Sequence, residues 1–150
     1  MEQNRLGKVI SVNISDKKGV IKEPIEYGVF EVGHGLKGDA HAGDWHRQVS
    51  LLGNESIDKM RNIGIEGLVP GKFAENLTTE GMILYELPVG TKLKIGETLH
   101  EVTQIGKECH SGCAIKKQVG KCVMPKEGIF TIVLKGGKIK SGDIIEVIHE

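Results

Sequence analysis

Short Val- and Ile-rich segments separated by glycines are the feature that most constrains the fold of this 150-residue chain. Glycine allows tight turns between short elements, and the sequence contains 21 glycines. Aromatic residues make up only 4% of the chain, so Val, Ile and Leu must fill the core. Many short strands joined by turns favour a barrel, because closure removes the exposed edges of a sheet. We therefore expect a mainly β fold, a closed or nearly closed β-barrel of short strands with one or two small helices.

Hydrophobic periodicity predicts where the individual elements lie. Between residues 54 and 62, Ile57 and Met60 are spaced as on one face of a helix, and Asn54 is the predicted N-cap. Residues 113–120 are predicted to form one or two further helical turns. The predicted strands are residues 6–14, 20–22, 27–32, 48–52, 75–79, 82–84, 98–105, 128–134 and 144–148.

Two segments of the chain are similar to each other. Residues 92–99 read KLKIGETL and residues 138–145 read KIKSGDII. Each is predicted to approach a turn at a Gly-acid pair and to continue as a strand. We interpret the similarity as common turn chemistry rather than as a duplication.

Charge and length limit the classes of function. Lys and Arg together number 20, as do Asp and Glu, so the chain has no overall attraction for nucleic acid or an anionic membrane. Any anion site must therefore be a local patch. No apolar run reaches the ~20 residues of a membrane span, and the first residues lack a secretory signal. We expect a single domain over residues 1–150, located in the cytoplasm and binding neither nucleic acid nor membrane.

The three cysteines, Cys109, Cys113 and Cys122, are clustered in one part of the sequence. Their odd number and the absence of a signal argue against a disulfide framework. Cations such as Lys107 and His110 stabilise a thiolate, which is both a nucleophile and a soft metal ligand. The segment is therefore a candidate to hold a persulfide, to attack a sulfur donor or to bind a metal such as molybdenum.

Cys109 is the preferred functional thiol, because its neighbours Glu108 and His110 are polar. Cys122 lies beside apolar residues, as a small buried hydrophobe would, and the role of Cys113 stays open. The cysteines with His110 also supply zinc ligand types, but their spacing is not that of a regular structural zinc site. A small zinc-binding or structural adaptor domain remains the alternative.

A second candidate segment is the histidine loop, residues 38–47, with sequence GDAHAGDWHR. Arg47 can hold a phosphate or carboxylate through a bidentate fork, and His41 and His46 can donate hydrogen bonds or bind a metal. Trp45, the only tryptophan, can cover a flat heterocycle. The alternative is a surface loop whose polar groups bond to its own backbone.

A third segment, residues 71–81 with sequence GKFAENLTTEG, combines polar and apolar residues before a predicted strand. Lys72 is a candidate to face an anion. Asn76 can fix a loop through backbone hydrogen bonds or contact a ligand. For Glu75 and Asn76 the structural role is the preferred interpretation.

Three motifs in this order resemble the MOSC family: GDAHAGDWHRQVSLL, GKFAENLTTEG, and TQIGKECHSGC followed by MPKEGIFTIVLKGGKIKSGD. This family is named for the C-terminal domain of molybdenum cofactor sulfurases. It also includes stand-alone bacterial proteins and the mitochondrial amidoxime-reducing components. The resemblance covers about residues 6–147 and implies a MOSC barrel, similar to the pyruvate-kinase barrel, with a cysteine that follows a strand.

Many relatives carry the cysteine in a Gln-Pro-Arg-x-x-Cys sequence. Here Gln104 and Cys109 match that pattern, so the resemblance points to Cys109 as the catalytic and metal-binding residue. Ile105 and Gly106 replace the proline and the arginine, and Lys107 is the candidate substitute for the arginine. The Phe-x-Glu-Asn motif is present as residues 73–76.

The resemblance implies a protein that handles or delivers sulfur or the molybdenum cofactor. The residues implied to bind the cofactor are His41, His46, Arg47, Lys72, Asn76 and Lys107. The chain is too short to carry the pyridoxal-phosphate domain of the full sulfurases, so its partner is expected to be a separate sulfur donor of the cysteine desulfurase type or a molybdoenzyme. Whether it turns over substrate, as a sulfurtransferase-like enzyme or as a reductase component that needs a partner, stays open.

Overall fold

The computed structural model describes residues 6–18, 20–106 and 124–148. Short strands dominate this part of the chain, as the sequence predicts. The helices are α1 (Asn54–Asn62) and α2 (Met124–Glu127), with a 3₁₀ turn at Leu84–Glu86. The strands are β1 (Leu6–Ile14), β2 (Glu23–Ile25), β3 (Tyr27–Glu31), β4 (Gly35–Leu36), β5 (Val49–Gly53), β6 (Leu77–Glu80), β7 (Lys92–Ile95), β8 (Thr98–Ile105), β9 (Ile129–Lys135), β10 (Gly137–Lys140) and β11 (Ile144–Ile148).

Seven strands close into a barrel in the order β11-β7-β8-β9-β5-β6-β1, and β1 pairs back with β11. Leu6 lies opposite Glu146 in this closing pair. Of these pairs only β5 and β6 are parallel, because α1 carries the chain back between them. The predicted closed barrel is thereby confirmed. β2 extends the sheet from β1, and β10, β3 and β4 form a separate three-stranded sheet.

Alternation along the strands fills the barrel interior with aliphatic side chains. In β8, for example, Thr98, His100 and Val102 are buried while the residues between them are partly exposed. The five residues of β5 are all buried, because α1 covers the outer face of this strand. Ile57 and Met60 of α1 pack there in a second cluster with Leu52, Leu68, Phe73 and Phe130.

Several predicted boundaries differ from the observed ones. The N-cap of α1 is Gly53, and Asn54 is the first helical residue, whose Oδ1 accepts a hydrogen bond from Arg61 Nη1 at 2.9 Å. The strand predicted at residues 20–22 is displaced to β2, where Pro24 is tolerated because β2 is an edge strand. Residues 82–84 precede and enter the 3₁₀ turn rather than forming a strand. The helical turns predicted at residues 113–120 lie outside the described residues.

Neither helix in the described residues is long and apolar enough to cross a membrane.

His100 gives the barrel a pH-dependent stability. Its side chain is fully buried, Nδ1 lies 2.8 Å from Thr131 Oγ1, and burial lowers the pKa of the ring from 6.5 to about 3. Below pH 6.5 the unfolded chain therefore binds a proton that the folded chain does not bind. The contribution of His100 to stability is present above pH 6.5 and falls by about 1.4 kcal/mol per pH unit as the pH drops toward 3.

We expect His100→Gln to lose less stability than the wild type between pH 6.5 and pH 4.5, since glutamine does not titrate. Urea unfolding at several pH values measures the two slopes. The control is His34→Gln, at a partly exposed histidine, which should keep the wild-type slope. Equal slopes for His100→Gln and the wild type would contradict the assignment.

Gly71 packs against the backbone of Lys22, and this contact requires glycine. Its φ is +89°, and a Cβ at this position would lie 2.1 Å from the carbonyl oxygen of Lys22. We expect Gly71→Ala to lower the free energy of unfolding by at least about 3 kcal/mol, through the left-handed backbone and the clash together. At Gly67, with φ of +74° and open space around it, alanine should cost only about 1 kcal/mol. Chemical denaturation of both variants tests the difference.

Candidate functional site

A cavity of about 220 Å³ opens at one end of the barrel. Phe130 of β9 forms one wall, and the histidine loop, which connects β4 to β5, forms another. The connection between β1 and β2 contributes Lys18. We call this space the Arg47 cavity, and the residues that line it are Lys18, His41, Trp45, Arg47 and Phe130.

Two cations lie against the aromatic floor of the Arg47 cavity, by which we mean the rings of Trp45 and Phe130. The guanidinium carbon of Arg47 lies 4.6 Å from the ring centroid of Trp45 and 5.7 Å from that of Phe130. Lys18 Nζ lies 5.4 Å from the Trp45 centroid. Such contacts between a cation and an aromatic face are attractive and hold the charges over the ring. None of the described residues that line the cavity is acidic, so the described lining carries net positive charge, which would attract an anion.

The Nε atom of Arg47 is buried and has no hydrogen-bond partner in the described structure. An unsatisfied buried donor costs roughly 1–3 kcal/mol, and more when it is charged. Within the described residues, Arg47 Nε therefore makes no structural hydrogen bond, and the guanidinium is a candidate to bind an anionic ligand.

His46 connects the histidine loop to the end of β8. Its Nε2 lies 2.9 Å from Gln104 Oε1, and Gln104 Nε2 donates to the carbonyl of Gly106 at 2.8 Å. Thr103 Oγ1 donates to the carbonyl oxygen of His46. Gly106 N in turn donates to Gly128 O at 2.6 Å. The residues that flank segment 107–123 thus lie beside the His46 end of the histidine loop.

Sequence reasoning found the histidine loop but not the whole cavity. The structure brings His41 and Arg47 together in the cavity, with His46 beside them on the same loop. Lys18 and Phe130 were missed, because each comes from a different element and only the tertiary fold places it there. Lys107 and Cys109, together with Cys113 and Cys122, lie outside the described residues.

Asn76 occupies a different place, inside the barrel wall. It is fully buried, and its Oδ1 accepts hydrogen bonds from the amide of Ser50 at 3.0 Å and from the hydroxyl of Ser50 at 3.2 Å. Its Nδ2 donates to the carbonyl of Asn13 at 3.3 Å. Both ends of the amide thus join β1 to the start of β5 and β6. Lys72 lies in the preceding turn, partly exposed, and neither residue lines the Arg47 cavity.

Glu75 is a buried carboxylate next to Asn76. Burial raises the pKa of Glu75, although Thr78 Oγ1 at 2.7 Å and the amides of Gly71 and Phe73 at 3.1 Å donate hydrogen bonds to it. These donors fix the turn at residues 71–74. The contacts favour the structural role that the sequence suggested for this motif.

No group of three or more His, Cys, Asp or Glu side chains that could hold a metal ion occurs within residues 6–18, 20–106 and 124–148. The described part of the site therefore supplies charge and aromatic surface rather than a set of metal ligands.

The fold and the cavity define a class of protein: a closed β-barrel with a cationic, aromatic-floored cavity at one end. The MOSC domain family model matches residues 38–146, which include the histidine loop and most of the barrel. The chain belongs to the MOSC domain family. A comparison with curated protein sequences finds no significant match.

Solved structures share this fold at low sequence identity. The YuaD protein from Bacillus subtilis is 20% identical with a TM-score of 0.78, over 95% of both chains. YiiM from Geobacillus stearothermophilus is 20% identical with a TM-score of 0.74, over 95% of this chain and 75% of that one. YiiM from Escherichia coli is 18% identical with a TM-score of 0.67, over 95% of this chain and 70% of that one.

Replacing Arg47 tests whether its guanidinium serves a ligand or the fold. Methionine keeps the packing on Trp45 and Phe130 but removes the unsatisfied buried Nε. We therefore expect Arg47→Met to leave the free energy of unfolding unchanged or to raise it by about 1 kcal/mol.

The matched control is Arg61→Met on α1. The Arg61 guanidinium donates to Asn54 Oδ1, Asp58 Oδ1 and Leu68 O, so its removal should destabilise the protein. Urea denaturation compares the two variants. A loss at Arg47 as large as the loss at Arg61 would show that the Arg47 guanidinium is a structural group.

Proposed function

We propose that this chain binds the molybdenum cofactor, with the phosphate end of the cofactor in the Arg47 cavity, and handles sulfur or the metal through Cys109. The unsatisfied Nε of Arg47 in a cationic cavity is the observation that carries the proposal. The MOSC family membership supplies the class of cofactor. Gln104 and Gly106, which precede the cysteine-bearing segment in the sequence, lie beside the histidine loop, and this supports the proposal.

The described residues fit the anionic part of such a cofactor. A phosphate offers acceptor oxygens to Arg47 and charge to both Arg47 and Lys18, and the Trp45 ring offers a flat surface to a heterocycle. The cavity holds about 220 Å³, less than the roughly 300–1,000 Å³ of a full small-molecule site. The fit therefore covers the phosphate and an adjoining part of the ligand, and the rest would extend beyond these walls.

The protein side chains have distinct roles in this proposal. Arg47 and Lys18 bind and orient the anion. His41 and His46 line the site, and the contact of His46 with Gln104 keeps the histidine loop against β8. The cofactor, when bound, supplies a metal that accepts soft sulfur ligands. Lys107, next to the thiol in sequence, would stabilise the thiolate of Cys109.

Sulfur reaches Cys109 by thiol exchange. The Cys109 thiolate attacks the outer sulfur of a persulfide on a separate donor of the cysteine desulfurase type, and the donor leaves as a thiolate. No oxidant is needed, because the sulfur arrives already in the persulfide state. Pyridoxal phosphate belongs to such a donor rather than to this chain, and the exchange would take place in the cytoplasm. Lys72 and Asn76 have no direct part in this proposal.

The test is metal analysis and intact-mass spectrometry of protein made in a host that produces the cofactor. We expect the wild type to carry molybdenum and cofactor, and Arg47→Met to lose most of both because its charge is gone. Cys109→Ser should lose metal or bound sulfur, whereas Cys113→Ser and Cys122→Ser keep them. Lys94→Met is the control cation variant. Lys94 pairs with Leu99 at the opposite end of β8, about 17 Å along the strand from Gln104.

Other outcomes point to the alternatives. Loss of metal in Cys113→Ser with retention in Cys109→Ser would move the functional thiol to Cys113. Stoichiometric zinc that depends on the cysteines, without cofactor, would favour the zinc-binding adaptor. Reduction of N-hydroxylated bases by the loaded protein with an electron donor would favour a reductase component.

A further inference from the structure

Lys22 and Asp39 form a buried ion pair beside the Arg47 cavity. Lys22 Nζ lies 2.8 Å from Asp39 Oδ1, and neither side chain is exposed. Burial by itself would raise the pKa of Asp39, but the hydrogen bond and charge of Lys22, with the amides of Ser15 and His41, bring it below its ordinary value of 3.8. The carboxylate is therefore ionised and faces its counter-ion inside the protein.

Asp39 connects this ion pair to Arg47 through an unbroken chain of contacts. Its Oδ2 accepts a hydrogen bond from the amide of His41 at 3.0 Å. The carbonyl of His41 accepts one from Trp45 Nε1 at 2.7 Å. The guanidinium carbon of Arg47 in turn lies 4.6 Å from the centroid of the Trp45 ring. The position of the aromatic floor thus depends on one carboxylate.

The same carboxylate holds the second wall of the cavity. Asp39 Oδ1 accepts a hydrogen bond from the amide of Ser15 at 3.1 Å, and Ser15 Oγ accepts one from Lys22 Nζ at 2.8 Å. Ser15 Oγ also donates to the carbonyl of Lys17 at 2.9 Å, next to Lys18. Asp39 therefore ties the segment that carries Lys18 to the loop that carries Arg47.

We infer that Lys22 and Asp39 are the positioning pair of the anion site, which holds in place the two segments that carry its cations, Lys18 and Arg47. The inference rests on the proposed function, because it concerns the same cavity. Neither residue lines the cavity, so both act through the residues they hold. Replacing a buried ion pair by apolar residues is often neutral for stability, which means that a role in positioning can be separated from a role in folding.

The test uses the double variant Lys22→Met/Asp39→Leu and the single variant Asp39→Asn. Trp45 is the only tryptophan, so tryptophan fluorescence, excited selectively over the two tyrosines, reports on this site alone. Three quantities are measured: urea stability, acrylamide quenching of Trp45, and the affinity for inorganic phosphate read from Trp45 emission. The control is Lys140→Met/Asp143→Asn, which removes a partly exposed ion pair elsewhere in the fold.

We expect the double variant to stay folded, with Trp45 more open to acrylamide and phosphate affinity lower by at least about tenfold, the cost of one misplaced charged hydrogen bond. The control should match the wild type in quenching and phosphate affinity. Asp39→Asn removes the negative charge that faces Lys22 at 2.8 Å inside the protein and should be strongly destabilised. If it does not fold, the double variant carries the test.

Two results would overturn the inference. One is a folded double variant with wild-type quenching and phosphate affinity. The other is a double variant that does not fold, since the pair would then stabilise the barrel itself. If phosphate does not change the Trp45 emission of the wild type, the proposed anion site is contradicted instead. Comparing acrylamide quenching of Trp45 in the wild type and the double variant would still decide whether the pair positions this residue.

Discussion

Pairing of β1 with β11 closes the barrel, and the rest of the structure depends on it. These strands lie near the two ends of the described chain, and the pairing is antiparallel from Leu6 to Lys8. Further along, β1 pairs with β6 and then with β2, with an irregularity between Val9 and Ser11. β1 therefore has hydrogen-bonded partners along its length. Its first half closes the barrel, and its last residues lead into the segment that forms one wall of the Arg47 cavity.

In the described part of the chain, the barrel interior is packed with side chains, whereas the Arg47 cavity lies at one end. Aliphatic side chains from all seven strands fill the interior, as is usual in small barrels. The Arg47 cavity lies where loops leave the strands: the connections after β1 and before β5 line it, and Gln104 near the end of β8 contacts His46 beside it. Phe130 links this site to the core, because its ring both packs in the cluster under α1 and contacts Arg47. The barrel thus supports the loops that form the Arg47 cavity.

Local patterns predicted much of the fold and only part of the site. The bounds of β1, β8, β11 and α1 follow from periodicity, since each has one clearly buried face. The similar segments at residues 92–99 and 138–145 illustrate the limit: the first forms a β7–β8 hairpin, whereas β10 pairs with β3 and β11 with β7. Partner choice is a tertiary property. The burial of Lys22 is likewise a tertiary property. From sequence alone a lysine is expected at the surface, and only its ion pair with Asp39 explains why it is buried.

Some polar or strained groups of this protein do little for its stability. Lys22 and Asp39 form a buried ion pair, and a pair of this kind commonly contributes no net stability compared with apolar residues. Arg47 keeps a buried donor without a partner, and Ala74 adopts a left-handed φ of 64°, which costs about 1 kcal/mol in a residue other than glycine. Such costs persist where the surrounding structure imposes them, and they cluster at functional sites. Arg47 lines the Arg47 cavity, and the Lys22–Asp39 pair is joined to it through His41 and Trp45, which agrees with the proposed binding of an anion there.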